Sequence, residues 1–152
     1  SNKKKKPYIP QFSTNIPHKK PAKCSTKKCS KGESITCKTL EQIYGVPFIT
    51  ARPDFLKNPE TGENLELDCY NEELGIAAEY NGIQHYLWPN YTDQTEEQFH
   101  NQLRRDEFKI NQCDLNGVYL ITVPYEVPYD SIPKYIEYYL PENVAARQAA
   151  NH

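Results

Sequence analysis

Two acidic residues, Asp68 and Glu79, flank a turn-forming stretch, and a histidine, His85, follows shortly after. That set of side chains suits phosphodiester hydrolysis. The reaction needs one or two divalent cations on the phosphate and a water made nucleophilic. Mg2+ and Mn2+ take oxygen ligands, so carboxylates are the expected protein contribution. An imidazole near neutral pH accepts or returns the proton. Asp68 interrupts the apolar pattern Leu65-Glu-Leu-Asp-Cys-Tyr, and Glu79 follows Ile-Ala-Ala. A carboxylate at a half-buried strand end is costly unless it is paired or metal-bound. The blander reading is two solvated hairpin carboxylates. The two positions alone favour that reading.

The elements that must position these residues follow from pattern and punctuation. Ser30 and Glu33 have capping-box spacing, Ile35, Leu40, Ile43 and Tyr44 recur at helical intervals, and Gly45 ends the helix. Pro47 to Gly62 reads as a long connection. Leu65–Tyr70 and Ile76–Tyr80 read as strands around the tight turn Asn71–Gly75, so they form a hairpin. In antiparallel strands Asp68 and Glu79 stand side by side if the register allows. Gly82 permits a sharp exit from the second strand and turns Gln84 and His85 back toward the carboxylates. Residues 94–114 carry Phe99, Leu103, Phe108 and Ile110 among charges and read as an amphipathic helix. Val118–Val123 reads as a buried strand, and Asp130–Leu140 as a final helix capped by Asp130 or Ser131. The expected class is α/β, a short mixed sheet flanked by helices.

Charge divides the chain. Residues 1–38 hold eleven Lys and one acid, a net of +10, whereas residues 39–152 carry a net of −12. Residues 1–29, rich in Lys and Pro, read as an extended basic arm, residues 30–142 as the domain and 143–152 as a tail. Lys3, Lys4, Lys5, Lys6, Lys19 and Lys20 suit phosphate neutralisation without sequence readout, and Arg52 suits an approach to the strand being cut. Tyr8, Phe12 and His18 suit base stacking. A nuclear-localisation signal competes for the Lys run. No stretch is long and apolar enough to span a membrane and no secretory signal is evident, so the expected location is intracellular, in cytoplasm or nucleus. The five cysteines agree with a reducing compartment. Cys24 and Cys29, with His18 and Cys37 nearby, have spacing compatible with structural Zn2+, but no second close pair follows and free thiols are expected.

From Ser30 to about Tyr125 the chain resembles the PD-(D/E)XK nuclease superfamily. Within it the likeness is to the very-short-patch repair endonuclease-like branch, which includes homing endonucleases with an E-D-H-D site. It is also similar to endonuclease-like proteins of large DNA viruses. The words that carry this are Ser30-Lys-Gly-Glu33, Leu-Glu-Leu-Asp68-Cys-Tyr-Asn, Glu79-Tyr-Asn-Gly-Ile-Gln-His85-Tyr, Arg105-Asp106 and Gly117-Val-Tyr-Leu-Ile-Thr-Val-Pro. The resemblance implies a restriction-endonuclease-like fold and an Mg2+- or Mn2+-dependent endodeoxyribonuclease. It makes Asp68 and Glu79 metal ligands and places Glu33 beside the metal, a role that competes with its capping role. It makes His85 the proton-handling histidine and Asp106 its orienter or a neighbour of the metal. Gln102 stands where the branch carries Asn. One departure concerns the superfamily lysine, due two residues after Glu79, where Asn81 stands. Either His85 makes that lysine dispensable, or Gln84 or Lys109 compensates, or the domain binds DNA without turnover. A structured-RNA nuclease, and a Cys/His metal-binding interaction protein centred on Cys24 and Cys29, are further rivals. A single site gives a nick; a double-strand cut requires a homodimer or sequential nicks.

Overall fold

Residues 29–141 are described by a computed structural model. The arm lysines, Cys24 and the tail therefore lie outside the described residues, whereas Cys29 is described and exposed.

The first helix, α1, spans Lys31–Tyr44. The Ser30 hydroxyl accepts from the Glu33 backbone N–H at 3.2 Å. Gly45 closes the helix in the left-handed region, φ 69°, donating its N–H to the Glu41 carbonyl. Leu40 is fully buried, and Ile35, Ile43 and Tyr44 pack partly buried around the same core. Two buried threonines share this face, each donating its hydroxyl within the helix: Thr36 to the Gly32 carbonyl and Thr39 to that of Ile35.

The connection expected from Pro47 to Gly62 contains a strand. Ile49–Ala51 forms β1, pairing antiparallel with β2, Leu67–Asn71. A 3-10 turn at Asp54–Leu56 follows β1 and buries Leu56. The hairpin of β2 with β3, Ile76–Asn81, forms as the alternation predicts, with Gly75 at φ 64° in its turn. Helix α2 spans Glu96–Leu115, and its Thr95–Gln98 capping box is reciprocal. It carries the chain across to β4, Tyr119–Pro124, which lies parallel to β3. Helix α3 spans Ile132–Tyr139 after a 3-10 turn at Tyr129–Ser131. Ser131 occupies its cap position without a side-chain hydrogen bond.

The described residues are mixed α/β, with one sheet in the order β1-β2-β3-β4 and three helices. One sheet face packs Cys69, Ile76, Ala78, Tyr119, Ile121 and Val123 against Leu40 of α1, Ile132 and Ile136 of α3, and Leu140 just beyond it. The other packs Tyr70, Ala77, Val118 and Leu120 against Cys113 of α2. Cys37 of α1 and Cys69 of β2 form a disulfide with a Cα–Cα separation of 5.5 Å. This departs from the expectation of free thiols. The cysteines are 32 residues apart, and what joins them is Cys69 facing α1, which the spacing does not reveal.

Candidate functional site

The β2–β3 register pairs Cys69 with Ala78 and Tyr70 with Ala77. One residue further, Asp68 faces Glu79 across the ladder. Alternation puts both on the α2 face of the sheet. The Tyr80 backbone N–H donates to Asp68 Oδ2 at 3.3 Å. Burial, then the neighbouring Glu79 charge, push the Asp68 pKa up to about 6. Glu79 is almost wholly buried, and burial raises its pKa although the Lys109 ammonium opposes the shift.

The ammonium comes from α2. Lys109 Nζ lies 2.6 Å from Glu79 Oε1, the side chains being 13% and 6% exposed. Burial lowers the Lys109 pKa, but Glu79, Asp106 and Asp68 outweigh it and hold the ammonium above its ordinary value. Lys109 therefore stays charged. Asn81, two residues beyond Glu79 and also buried, carries no such charge.

Glu33 reaches this region from α1. Its backbone serves the cap, so the capping and site roles do not compete for the same atoms. Burial, then the charges of Asp68 and Glu66, raise the Glu33 pKa to about 7. The first turn of α1 approaches so closely because residue 32 is glycine. A Cβ there would lie 2.6 Å from the Tyr80 ring.

His85 ends the 3-10 turn Ile83–His85 and packs toward α2. Its Nδ1 lies 2.8 Å from Asp106 Oδ2. An ionised carboxylate only accepts, so Nδ1 is the donor in this contact. Asp106 is held in turn by Gln102 Nε2 at 3.0 Å, and the Gln102 Oε1 accepts from Arg105 Nη2 at 2.9 Å. The charges of Asp106 and His85 both act on Glu79, so this relay belongs to the same cluster.

Three expectations change. Gly82 has an ordinary φ of −72°. It provides room, because a Cβ there would lie 2.5 Å from Gln84 Oε1. Gln84 consequently folds over Gly82, and Lys109 is the residue that brings a charge to Glu79. Of the apolar set named from the sequence for α2, Phe99 is buried but Ile110 is exposed, and Gln102, Asp106, Lys109 and Cys113 share the inner side of the helix. Arg52 ion-pairs with Glu66 at 3.1 Å on the exposed side of the cluster. Glu66, unremarked in the sequence, joins the carboxylates by raising Glu33 and Asp68.

Among the described residues, no group of three or more His, Cys, Asp or Glu side chains converges closely enough to hold a metal ion as they stand. The donor chemistry nevertheless fits a hard cation. Asp68, Glu79 and Glu33 offer only oxygen; burial first and then repulsion between neighbouring carboxylates raise Asp68 and Glu33, and a divalent cation would relieve the repulsion.

Among the described residues no helix is long and apolar enough to cross a membrane. No family model matches the chain, and no solved structure matches it. Curated viral proteins do. The chain is 45% identical over 107 residues to uncharacterized protein 033L of Invertebrate iridescent virus 3, covering 70% of this chain and 55% of that protein. It is 44% identical over 124 residues to uncharacterized protein 307L of Invertebrate iridescent virus 6, covering 72% and 62%. It is 39% identical over 99 residues to uncharacterized protein 094L of Frog virus 3, covering 64% of each. The chain thus spans between about half and two thirds of the length of the viral proteins to which it is similar.

Proposed function

We propose that this chain is a metal-dependent DNA endonuclease with a restriction-endonuclease-like domain, which nicks phosphodiester bonds at the face between β2, β3 and α2. The observation that carries the reading is the convergence of Asp68, Glu79 and Lys109 beside the His85–Asp106 pair.

Asp68 and Glu79 would hold Mg2+ or Mn2+, with Glu33 behind Asp68. Bound there, the cation would polarise the phosphate and lower the pKa of a water. The chain's own groups do the rest. His85 Nε2 accepts a proton from the attacking water or returns one to the leaving oxygen. Asp106 fixes the imidazole tautomer and stabilises the imidazolium that forms. Lys109 balances the acidic cluster and sets a cation near developing negative charge, which is most effective in a partly water-excluded site. The sequence places a cation after Glu79 on no strand residue, and Lys109 meets that need from the helix. Arg52 and the arm lysines Lys3, Lys4, Lys5, Lys6, Lys19 and Lys20 would neutralise phosphates flanking the cut.

The test is relaxation of supercoiled plasmid with Mg2+ and with Mn2+. Wild type should nick, and Asp68→Asn should lose at least about a thousandfold in rate while still binding DNA. Full activity in that variant would remove Asp68 from the mechanism. Binding without nicking in the wild type would favour a DNA-binding module that has lost turnover, a reading motivated by Asn81.

A further inference from the structure

Trp88 is the sole tryptophan of the chain and is 40% exposed, and Tyr91 on the same loop is 37% exposed. The loop is braced by its own side chains. Trp88 Nε1 donates to the Gln94 carbonyl at 2.9 Å. Asn90 Nδ2 donates to the Leu87 carbonyl at 2.8 Å and to Gln94 Oε1 at 3.0 Å, and the Thr92 backbone N–H donates to Asn90 Oδ1 at 2.9 Å. Gln94 Nε2 then donates to the Gln84 carbonyl at 3.2 Å, tying the loop to the residue before His85.

Trp88 and Tyr91 present aromatic faces in a loop that has little ordering entropy left to lose. The indole N–H is already satisfied, so what Trp88 offers a partner is its ring. Trp88 lies three positions after His85, a Cα span of at most about 11 Å. A B-DNA strand advances about 3.4 Å per nucleotide, which puts the ring within a few nucleotides of a phosphate at His85. A base inside a duplex has both faces covered, whereas an unpaired base has a face to stack.

We propose that Trp88 and Tyr91 form a stacking platform for an unpaired nucleobase, making the substrate DNA with a single-stranded or extruded nucleotide beside the scissile phosphate. This rests on the nuclease reading above.

Trp88 emission reports contact directly. The full chain, in EDTA, is titrated with a short single-stranded DNA, its matched duplex, and the same duplex carrying a small bulge. Single strand and bulge should quench Trp88 saturably, and the matched duplex should not. By anisotropy of a labelled strand, Trp88→Ala should bind the single strand about tenfold more weakly, with little change for the matched duplex. Trp88→Phe keeps a ring but loses the N–H, and should retain near-wild-type affinity. A loss in Trp88→Phe as large as in Trp88→Ala would assign the residue to loop bracing and overturn the proposal. So would equal quenching by the matched duplex, quenching by no DNA, or stronger quenching by RNA of the same sequence. Without metal the titration is independent of hydrolysis. Plasmid nicking without quenching sinks the platform alone, whereas quenching without nicking sinks the nuclease reading and with it the substrate assignment, leaving a platform that only binds.

Discussion

On the sheet face covered by α1 and α3, Cys69, Ala78, Ile121 and Val123 meet Leu40, Ile132, Ile136 and Leu140, and the buried polar side chains of α1, Thr36 and Thr39, are satisfied within their own helix. The face covered by α2 starts the same way, with Ala77, Val118 and Leu120 against Cys113. Along β3 it then changes character. Glu79 and Asn81 follow Ala77 on that side, with Thr122 beside Glu79 in the parallel register. Burying acids is costly and burying Ile or Leu is favourable. The first face therefore holds the fold, and the second gives up part of that stability to a cluster that suits the proposed chemistry. The change occurs toward the carboxyl ends of β3 and β4, where open α/β sheets usually bind ligands.

The largest expected effect breaks the second face. Lys109→Met leaves Glu79 buried without its partner. It should cost about 3–5 kcal/mol of stability and about a hundredfold or more in nicking rate. The double variant Lys109→Met/Glu79→Gln should regain most of the stability, read by urea unfolding, and none of the activity. Recovery of both would make the pair structural only.

Breaking the first face should separate the two roles. Ile136→Ala removes a fully buried side chain, and should cost about 2–5 kcal/mol. The nicking rate per folded molecule, measured well below the midpoint of unfolding, should be unchanged. A selective loss of rate would show that the apolar face also tunes the site.

The disulfide sits at the boundary, since Cys69 faces the apolar core while its neighbour Asp68 faces the cluster. Reduction, or Cys37→Ser, should lower stability by about 2–4 kcal/mol. An identical unfolding midpoint with and without reductant would show that the bond contributes nothing.

The smallest effect is electrostatic. Folding raises Glu33 to about 7 and Asp68 to about 6, above their ordinary values of 4.5 and 3.8. The folded chain thus holds these protons more tightly than the unfolded one. Their contribution is fully present below the ordinary carboxylate range and is lost as pH rises through 6 to 7. Metal-free protein should melt a few degrees lower at pH 7.5 than at pH 5.5, solvent screening at half-exposed Glu33 keeping the difference modest. Glu33→Gln should shrink that difference. An unchanged pH profile in the variant would place Glu33 outside the cluster.

Much of the framework was legible because it rests on local chemistry. Ser30 and Gly45 bound α1, the turn at Asn71–Gly75 fixes the hairpin, and the hairpin alone brings Asp68 to Glu79. β1 was missed because Ile49–Ala51 is short and largely exposed, and exists by pairing with β2 rather than by any alternation of its own. Helix α2 was legible, and Phe99 is buried as its apolar pattern implies, but Ile110 is exposed. Of the polar residues on its inner side, Lys109 meets Glu79 on the sheet, Asp106 meets His85 in the 3-10 turn, and Gln102 is held by Asp106 along the helix. The signal was present in their spacing, which puts all three on one helical stripe. Glu66 and the α1–β2 disulfide depend on tertiary approach, and no local pattern carries them.

The most direct test is anomalous diffraction from a crystal of the chain soaked in Mn2+. The expected result is a peak bonded to carboxylate oxygens of both Asp68 and Glu79, with Lys109 displaced from Glu79 or shifted beside it. A fully occupied Mn2+ elsewhere, with the Lys109–Glu79 contact intact and no density at Asp68, would contradict the proposed site.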